Sequence, residues 1–173
     1  MSKTIFITGG ARSGKSLLAE RLAGEFGAPL GYVATGRAGD AEMAERIARH
    51  QARRGTAWQT IEEPFALAEA IRGHDGYFNV MLVDCITLWL TNLLLKYDDV
   101  AKVVADVRDL TNLFSVSKTP LVLVSNEVGM GIVPENRLAR TFRDLAGEAN
   151  EMIAKASDEV YVTFAGLPLK LKG

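Results

Sequence analysis

The sequence predicts a three-layer α/β fold built on a mostly parallel central sheet, and three observations carry that expectation. Apolar strand-like runs alternate with helical-period segments along the 173 residues, the pattern of a parallel sheet wrapped by helices. The run Val80-Met81-Leu82-Val83 is apolar throughout, as a strand covered on both faces requires. Residues 9–16, Gly9-Gly10-Ala11-Arg12-Ser13-Gly14-Lys15-Ser16, spell G-x-x-x-x-G-K-[ST] between a strand-like run and a helix-like one. Together they specify a P-loop nucleoside-triphosphatase-type fold, read as a single domain over 1–173.

The elements follow in order. Thr4–Thr8 is the first strand, and the periodic segment Leu17-Leu18-Ala19-Glu20-Arg21-Leu22 opens the first helix. Leu30–Ala34, Asn79–Asp84, Leu121–Ser125 and Glu159–Phe164 are further strand-like runs, and Leu169–Leu171 is a short candidate edge strand. Asp40 is a plausible N-cap for a helix over 40–54, and Pro64 suits the first turn of a short helix over 64–72. Val100, Val103, Val104, Val107, Leu110, Leu113 and Phe114 recur at helical spacing over 98–114. Leu138, Phe142, Leu145, Ala149, Met152 and Ile153 do the same over 136–156.

Composition narrows the class. At 48% hydrophobic and 24% charged residues the chain reads as an ordinary globular protein, and its net charge of −1 provides no overall basic field for nucleic acid. The lone Cys85 excludes an internal disulfide and a cysteine-based zinc site. The first strand begins at Thr4, so no signal peptide is expected. The apolar stretch near Leu88–Leu95 is too short to span a bilayer. A reducing, cytoplasmic setting is the expectation.

The phosphate-loop reading has a direct physical basis. Its glycines let the backbone curl so that successive N–H groups face phosphate oxygens, and the following helix adds its unpaired N–H groups. Lys15 would reach the outer phosphates as a point charge, and Ser16 Oγ would ligate Mg²⁺. Asp84 ends a buried strand at the sheet edge where ligands collect in such folds; it is either a Mg²⁺ carboxylate or a helix N-cap. Met43, Ile47, His50 and Arg54 fall on one face of the expected helix, so His50 is expected to point toward protein. Spacing alone favours a structural histidine there, although Arg46, Arg49, Arg53 and Arg54 suit a polyphosphate beside it. His74, in the turn-like Gly73-His74-Asp75-Gly76, is read as structural. The segment from Ser125 to Arg137 is a long glycine-containing loop leaving a buried strand, either functional or a plain connector. No Asn-Lys-x-Asp guanine signature, Asp-x-x-Gly switch or protein-kinase motif is present.

With these residues assembled, the chain resembles the bifunctional cobinamide kinase / cobinamide-phosphate guanylyltransferase family of cobalamin biosynthesis. The resemblance rests on Thr8–Ser16, Tyr32-Val33-Ala34-Thr35, Glu42–Ile47 leading to His50, Asp84-Cys85-Ile86-Thr87, Thr91-Asn92-Leu93-Leu94 and, most distinctively, Asn126–Arg140. It implies phosphorylation of the aminopropanol hydroxyl of adenosylcobinamide with ATP or GTP. GMP transfer from GTP to that phosphate follows, giving adenosyl-GDP-cobinamide and pyrophosphate. The resemblance makes His50 the residue that carries GMP. It assigns nucleotide contacts to Ala34, Thr35, Gly36, Gln51, Ala52, Arg53, Arg54, Glu62 and Asp84. The family often has glutamate where this chain has Asp84, which leaves nucleotide and metal roles both open. Adenosylcobinamide, its phosphate, GTP and ATP are the implied partners, Mg²⁺ the implied cofactor, and a homotrimer the implied assembly. The rival readings are a small-molecule kinase without guanylyl transfer and a nucleotide-dependent regulatory module.

Overall fold

The computed structural model describes residues 2–36 and 55–173. The expected helix over 40–54, with His50 and Gln51–Arg54, lies outside the described residues. Seven strands form one sheet: β1 (Thr4–Gly9), β2 (Leu30–Ala34), β3 (Trp58–Glu62), β4 (Val80–Asp84), β5 (Leu121–Val124), β6 (Glu159–Phe164) and β7 (Leu167–Lys172). Their order across the sheet is β3-β2-β4-β5-β1-β6-β7. All pairings are parallel except β6–β7, which is an antiparallel hairpin. Five helices are described: α1 (Lys15–Gly24), α2 (Leu67–Gly73), α3 (Ile86–Tyr97), α4 (Val100–Leu113) and α5 (Arg137–Ala156).

Alternation along each strand decides which layer each residue serves. Ile5 and Ile7 of β1, Val80 and Leu82 of β4, and Val122 and Val124 of β5 pack with Leu18, Ala19 and Ala23 of α1. Phe6, Met81, Val83, Leu121 and Leu123 face the other way, into a larger core filled from α2, α3, α4 and α5. The three-layer expectation is met. Trp89 of α3 is fully buried there, and its indole N–H donates to the Phe65 carbonyl at 2.8 Å.

Three elements differ from the sequence expectation. The helix expected from Pro64 begins at Leu67, because the Glu63 carboxylate accepts the N–H groups of Phe65 and Ala66 and closes a turn first. Strand β3 had no apolar signal: Trp58-Gln59-Thr60-Ile61-Glu62 is an edge strand with three exposed residues, held by its ladder to β2. The edge strand at the carboxyl end is also longer than Leu169–Leu171, running Leu167–Lys172. Among the described residues no helix is long and apolar enough to cross a membrane.

Polar clamps fasten the amino edge of the sheet. Asp75 Oδ1 accepts from Ser117 Oγ, Lys118 N and Thr119 N, each at 2.9 Å. Glu159 Oε1 pairs with Lys3 Nζ at 2.6 Å and Lys170 Nζ at 3.2 Å, and Oε2 accepts from Tyr161 OH at 2.8 Å. Chiefly through Lys3, and against its partial burial, the Glu159 carboxyl is held down at about 2. A depressed carboxyl pKa contributes stability that is complete above the unfolded value near 4.5 and is lost as pH falls toward 2. Glu159→Gln is therefore expected to flatten the loss of stability across that acid window in urea titrations. An unchanged acid slope in the variant contradicts the assignment.

Candidate functional site

The phosphate loop is shaped by two glycines whose positive φ and close neighbours disfavour any side chain. Gly9 ends β1 at φ +147°, where an added Cβ would lie 2.6 Å from Thr163 O, 2.7 Å from Thr163 Oγ1 and 2.8 Å from Ser13 Oγ. Gly14 precedes α1 at φ +98°, and a Cβ there would meet Gly166 Cα at 3.2 Å. Arg12, exposed at the crest, also adopts a left-handed backbone at φ 56°. Helix α1 has neither a side-chain cap nor an acidic residue in its first turn, so its leading N–H groups are left for an anion.

The loop is gripped from two sides. Ser13 Oγ and Thr163 Oγ1 lie 2.6 Å apart in a buried hydrogen bond, and Gly166 N donates to Ser13 O at 3.0 Å. Both contacts come from the β6–β7 hairpin, whose turn residues Ala165 and Gly166 have φ of 50° and 83°. From the other side Glu127 N, just beyond β5, donates to Gly9 O at 2.9 Å. Lys15 is buried, and its ammonium donates to Gly10 O at 2.6 Å, inside the loop. Burial lowers the Lys15 pKa from 10.5, a shift partly opposed by the charge of Asp84.

The parallel register brings the other expected residues to the same edge. Glu62, Ala34 and Asp84 are paired side by side across β3, β2 and β4. Asp84 is level with Val124 of β5, which is level with Ile7 of β1, two residues before the phosphate loop. Asp84 ends β4 instead of capping α3; the cap position is Cys85. The Asp84 carboxylate accepts from Tyr32 OH at 3.1 Å. Burial pushes the Cys85 thiol up to about 11, so it stays protonated and is no nucleophile.

Thr35 and Gly36 continue β2 into the site. Thr35 is fully buried; its hydroxyl donates to Cys85 O at 2.7 Å and accepts from Cys85 N at 2.8 Å. Asn92 of α3 donates to Thr35 O at 2.8 Å and to Pro64 O at 3.1 Å, tying the ends of β2 and β3 to one helix. Beyond β5, Thr87 Oγ1 accepts from Asn126 N at 2.7 Å, Asn150 Nδ2 donates to Asn126 O, and Arg143 Nη2 donates to Gly129 O at 2.6 Å. Sequence reasoning did not single out Thr163, Gly166 or Arg143, and took Asn92 only as part of a longer match. Of these only Gly166 had a local signal, a glycine after a strand-like run. His74 is structural as expected, with Nδ1 2.8 Å from Ala70 O and its ring stacked on Phe78.

Among the described residues no group of three or more His, Cys, Asp or Glu side chains could hold a metal by itself. Ser16, in the first turn of α1, and Asp84 supply hard oxygen donors at the same sheet edge, which suits a Mg²⁺ held mostly by phosphate and water.

This fold and this loop define a phosphate-loop nucleotide-binding protein. The backbone resembles a KaiC-like protein of Pyrococcus horikoshii (TM-score 0.51, 13% identity, 92% of this chain and 70% of that one). It also resembles the P4 protein of bacteriophage phi6 in complex with ADP (TM-score 0.52, 16% identity, 97% and 54%), a likeness of fold alone. The family model of cobinamide kinase / cobinamide phosphate guanyltransferase matches residues 5–171. The bifunctional adenosylcobalamin biosynthesis protein CobP of Pseudomonas aeruginosa is 49% identical over 167 residues, 96% of each chain. The corresponding CobU proteins of Escherichia coli and Salmonella typhimurium are 41% and 42% identical over 180 residues, 97% of this chain and 99% of theirs. The chain belongs to the cobinamide kinase / cobinamide phosphate guanyltransferase family.

Two predictions follow from the loop geometry. Arginine keeps its charge where lysine loses it, so GTP affinity of the parent should fall at alkaline pH relative to Lys15→Arg. Calorimetric titration of both proteins between about pH 8 and 10 isolates Lys15, because the guanine base titrates equally in each. Parallel pH profiles would place the loss elsewhere. For the brace, Thr163→Val leaves Ser13 Oγ buried and unpaired and should cost about 1–3 kcal/mol of unfolding free energy. Adding Ser13→Ala should recover part of that cost in a double-mutant cycle; strict additivity in urea denaturation refutes the coupling.

Proposed function

We propose that this protein phosphorylates adenosylcobinamide with ATP or GTP and then transfers GMP from GTP to the resulting phosphate. The observation that carries the reading is the curled loop Gly9–Ser16 with its buried Lys15, in a chain whose family membership spans nearly its full length.

In the first reaction the acceptor hydroxyl oxygen attacks the γ-phosphorus, the bond from that phosphorus to the β-bridging oxygen breaks, and the hydroxyl proton is released. Backbone N–H groups of Gly10–Lys15 and the Lys15 ammonium hold the phosphates in line, and Lys15 exchanges its contact with Gly10 O for a phosphate oxygen. Ser16 Oγ and the Asp84 carboxylate are the groups that would hold Mg²⁺, which neutralises charge on the phosphoryl oxygens when bound.

In the second reaction the electrophile is the α-phosphorus. A neutral His50 imidazole nitrogen attacks it, a P–N bond forms, and pyrophosphate leaves. The phosphate oxygen of adenosylcobinamide phosphate then attacks the same phosphorus, the P–N bond breaks, and His50 is regenerated. The split replaces one encounter of two bulky anions with two smaller displacements. Arg53 and Arg54 compensate the triphosphate charge near His50. Glu62, Ala34 and Asp84, side by side at the carboxyl edge, with Thr35 and Gly36 following β2, form the guanosine-binding end, to which Gln51 and Ala52 contribute.

Incubation with GTP labelled in the α-phosphate, followed by denaturation, tests the covalent step. Acid-labile, alkali-stable label is expected on the parent and absent from His50→Ala, which retains kinase activity. An unlabelled parent, or adenosyl-GDP-cobinamide formed by His50→Ala at the parent rate, eliminates the histidine carrier.

A further inference from the structure

The loop between β5 and α5 exposes apolar side chains that the fold does not use. Ile132 is 96% exposed and Met130 78%, with Val128 before them and Val133 after them also exposed, and Leu138 exposed in the first turn of α5. Single exposed apolar residues are ordinary; five of them within eleven residues, on one loop and the helix turn that it enters, are a concentration of the kind that marks a contact surface.

The loop is not slack. Glu127 N donates to Gly9 O, Gly129 N donates to Glu127 Oε1, and Arg143 holds Gly129 O. Arg140 Nη1 donates to Pro134 O and Glu135 O, and Asn136 caps α5 through Ala139 N. Polar bonds thus anchor the loop on both sides of Met130–Val133 while the apolar side chains stay in water. That arrangement leaves them ready for a ligand at little further ordering cost.

We infer that this patch, Val128 to Val133 with Leu138, is the docking face for the corrin ring of cobinamide. The inference rests on the kinase and guanylyltransferase reading proposed above. The acceptor oxygen must reach a phosphorus held by the phosphate loop, and the patch begins one residue after Glu127, which is hydrogen-bonded to Gly9 of that loop. The triphosphate of a nucleotide is anionic and gains nothing from such a surface, and its guanosine end is assigned above to the row of Glu62, Ala34 and Asp84. The acceptor offers a broad ring with apolar faces, fringed by amides that match the carbonyls and amides of an extended loop. The patch therefore suits the acceptor, beside the anionic site that suits the donor.

The test compares Ile132→Ser and Met130→Ser with Val116→Ser, an exposed apolar residue at the opposite edge of the sheet. Both loop variants should raise the KM for cobinamide about tenfold, the scale of losing one buried aliphatic contact, with KM for GTP changed less than about twofold. Val116→Ser should match the parent. An unchanged KM for cobinamide in both loop variants overturns the assignment. So does a smaller assembly for them in sedimentation velocity, which makes the patch a contact between copies. A parent protein that leaves cobinamide unmodified brings down the functional reading and this inference with it. That result is distinct from failed docking, in which the parent acts on cobinamide and the variants act equally well.

Discussion

The backbone of Gly9 passes so close to Thr163 that a single methyl group would overlap the Thr163 carbonyl oxygen. This contact sets where β1 stops and where the chain begins to curl. Gly14 meets Gly166 in the same way a turn later, so the β6–β7 hairpin acts as a mould for the loop. The buried bond between Ser13 and Thr163 spans 150 residues of sequence, joining the first element of the fold to the last hairpin. A loop held at both glycines, at Ser13 and at Glu127 has its N–H groups oriented before any phosphate arrives, which is the condition for electrostatic preorganisation.

Around that loop the parallel sheet acts as a ruler. Each strand ends at the same edge, so residues distant in sequence arrive in one row: Glu62, Ala34 and Asp84, then Val124, then Ile7 below the loop. Two reactions at two phosphorus atoms need one nucleotide gripped at both ends. An edge several strands wide would provide that span, with the phosphate loop at β1 and the β2–β4 ends several strand spacings away. Thr35 and Asn92 keep that far end in register by satisfying backbone groups that leave the ladder.

Stability and chemistry occupy opposite edges. The clamps of Asp75 and Glu159 lie on the amino side, where paired carboxylates add rigidity without facing a ligand. At the carboxyl edge Lys15 is buried with its ammonium directed at a loop carbonyl, a weaker partner than the phosphate oxygens that would replace it. Cys85 is kept a neutral thiol by burial and, to a smaller extent, by the adjacent charge of Asp84.

Much of this was legible in the chain itself. Glycine spacing, the lysine and serine that follow, and apolar runs of strand length are local signals, enough to read the loop and six of the seven strands, whereas which residue of an all-apolar strand serves which core came only from the packed structure. Strand β3 was not legible, because its exposed Gln59 and Thr60 have no hydrophobic pattern and it exists only through its ladder to β2. The start of α2 depended on Glu63 accepting two backbone N–H groups, which competes with the helix signal of Pro64. Thr163, Gly166, Asn92 and Arg143 acquired meaning only on folding, since each acts on a backbone group far away in sequence. Sequence by itself determined the identity and spacing of the phosphate-loop residues, because the glycines and the lysine and serine after them are a local signal. Tertiary structure alone decided what holds those residues in place, because a bond such as that between Ser13 and Thr163, 150 positions apart, leaves no periodic trace.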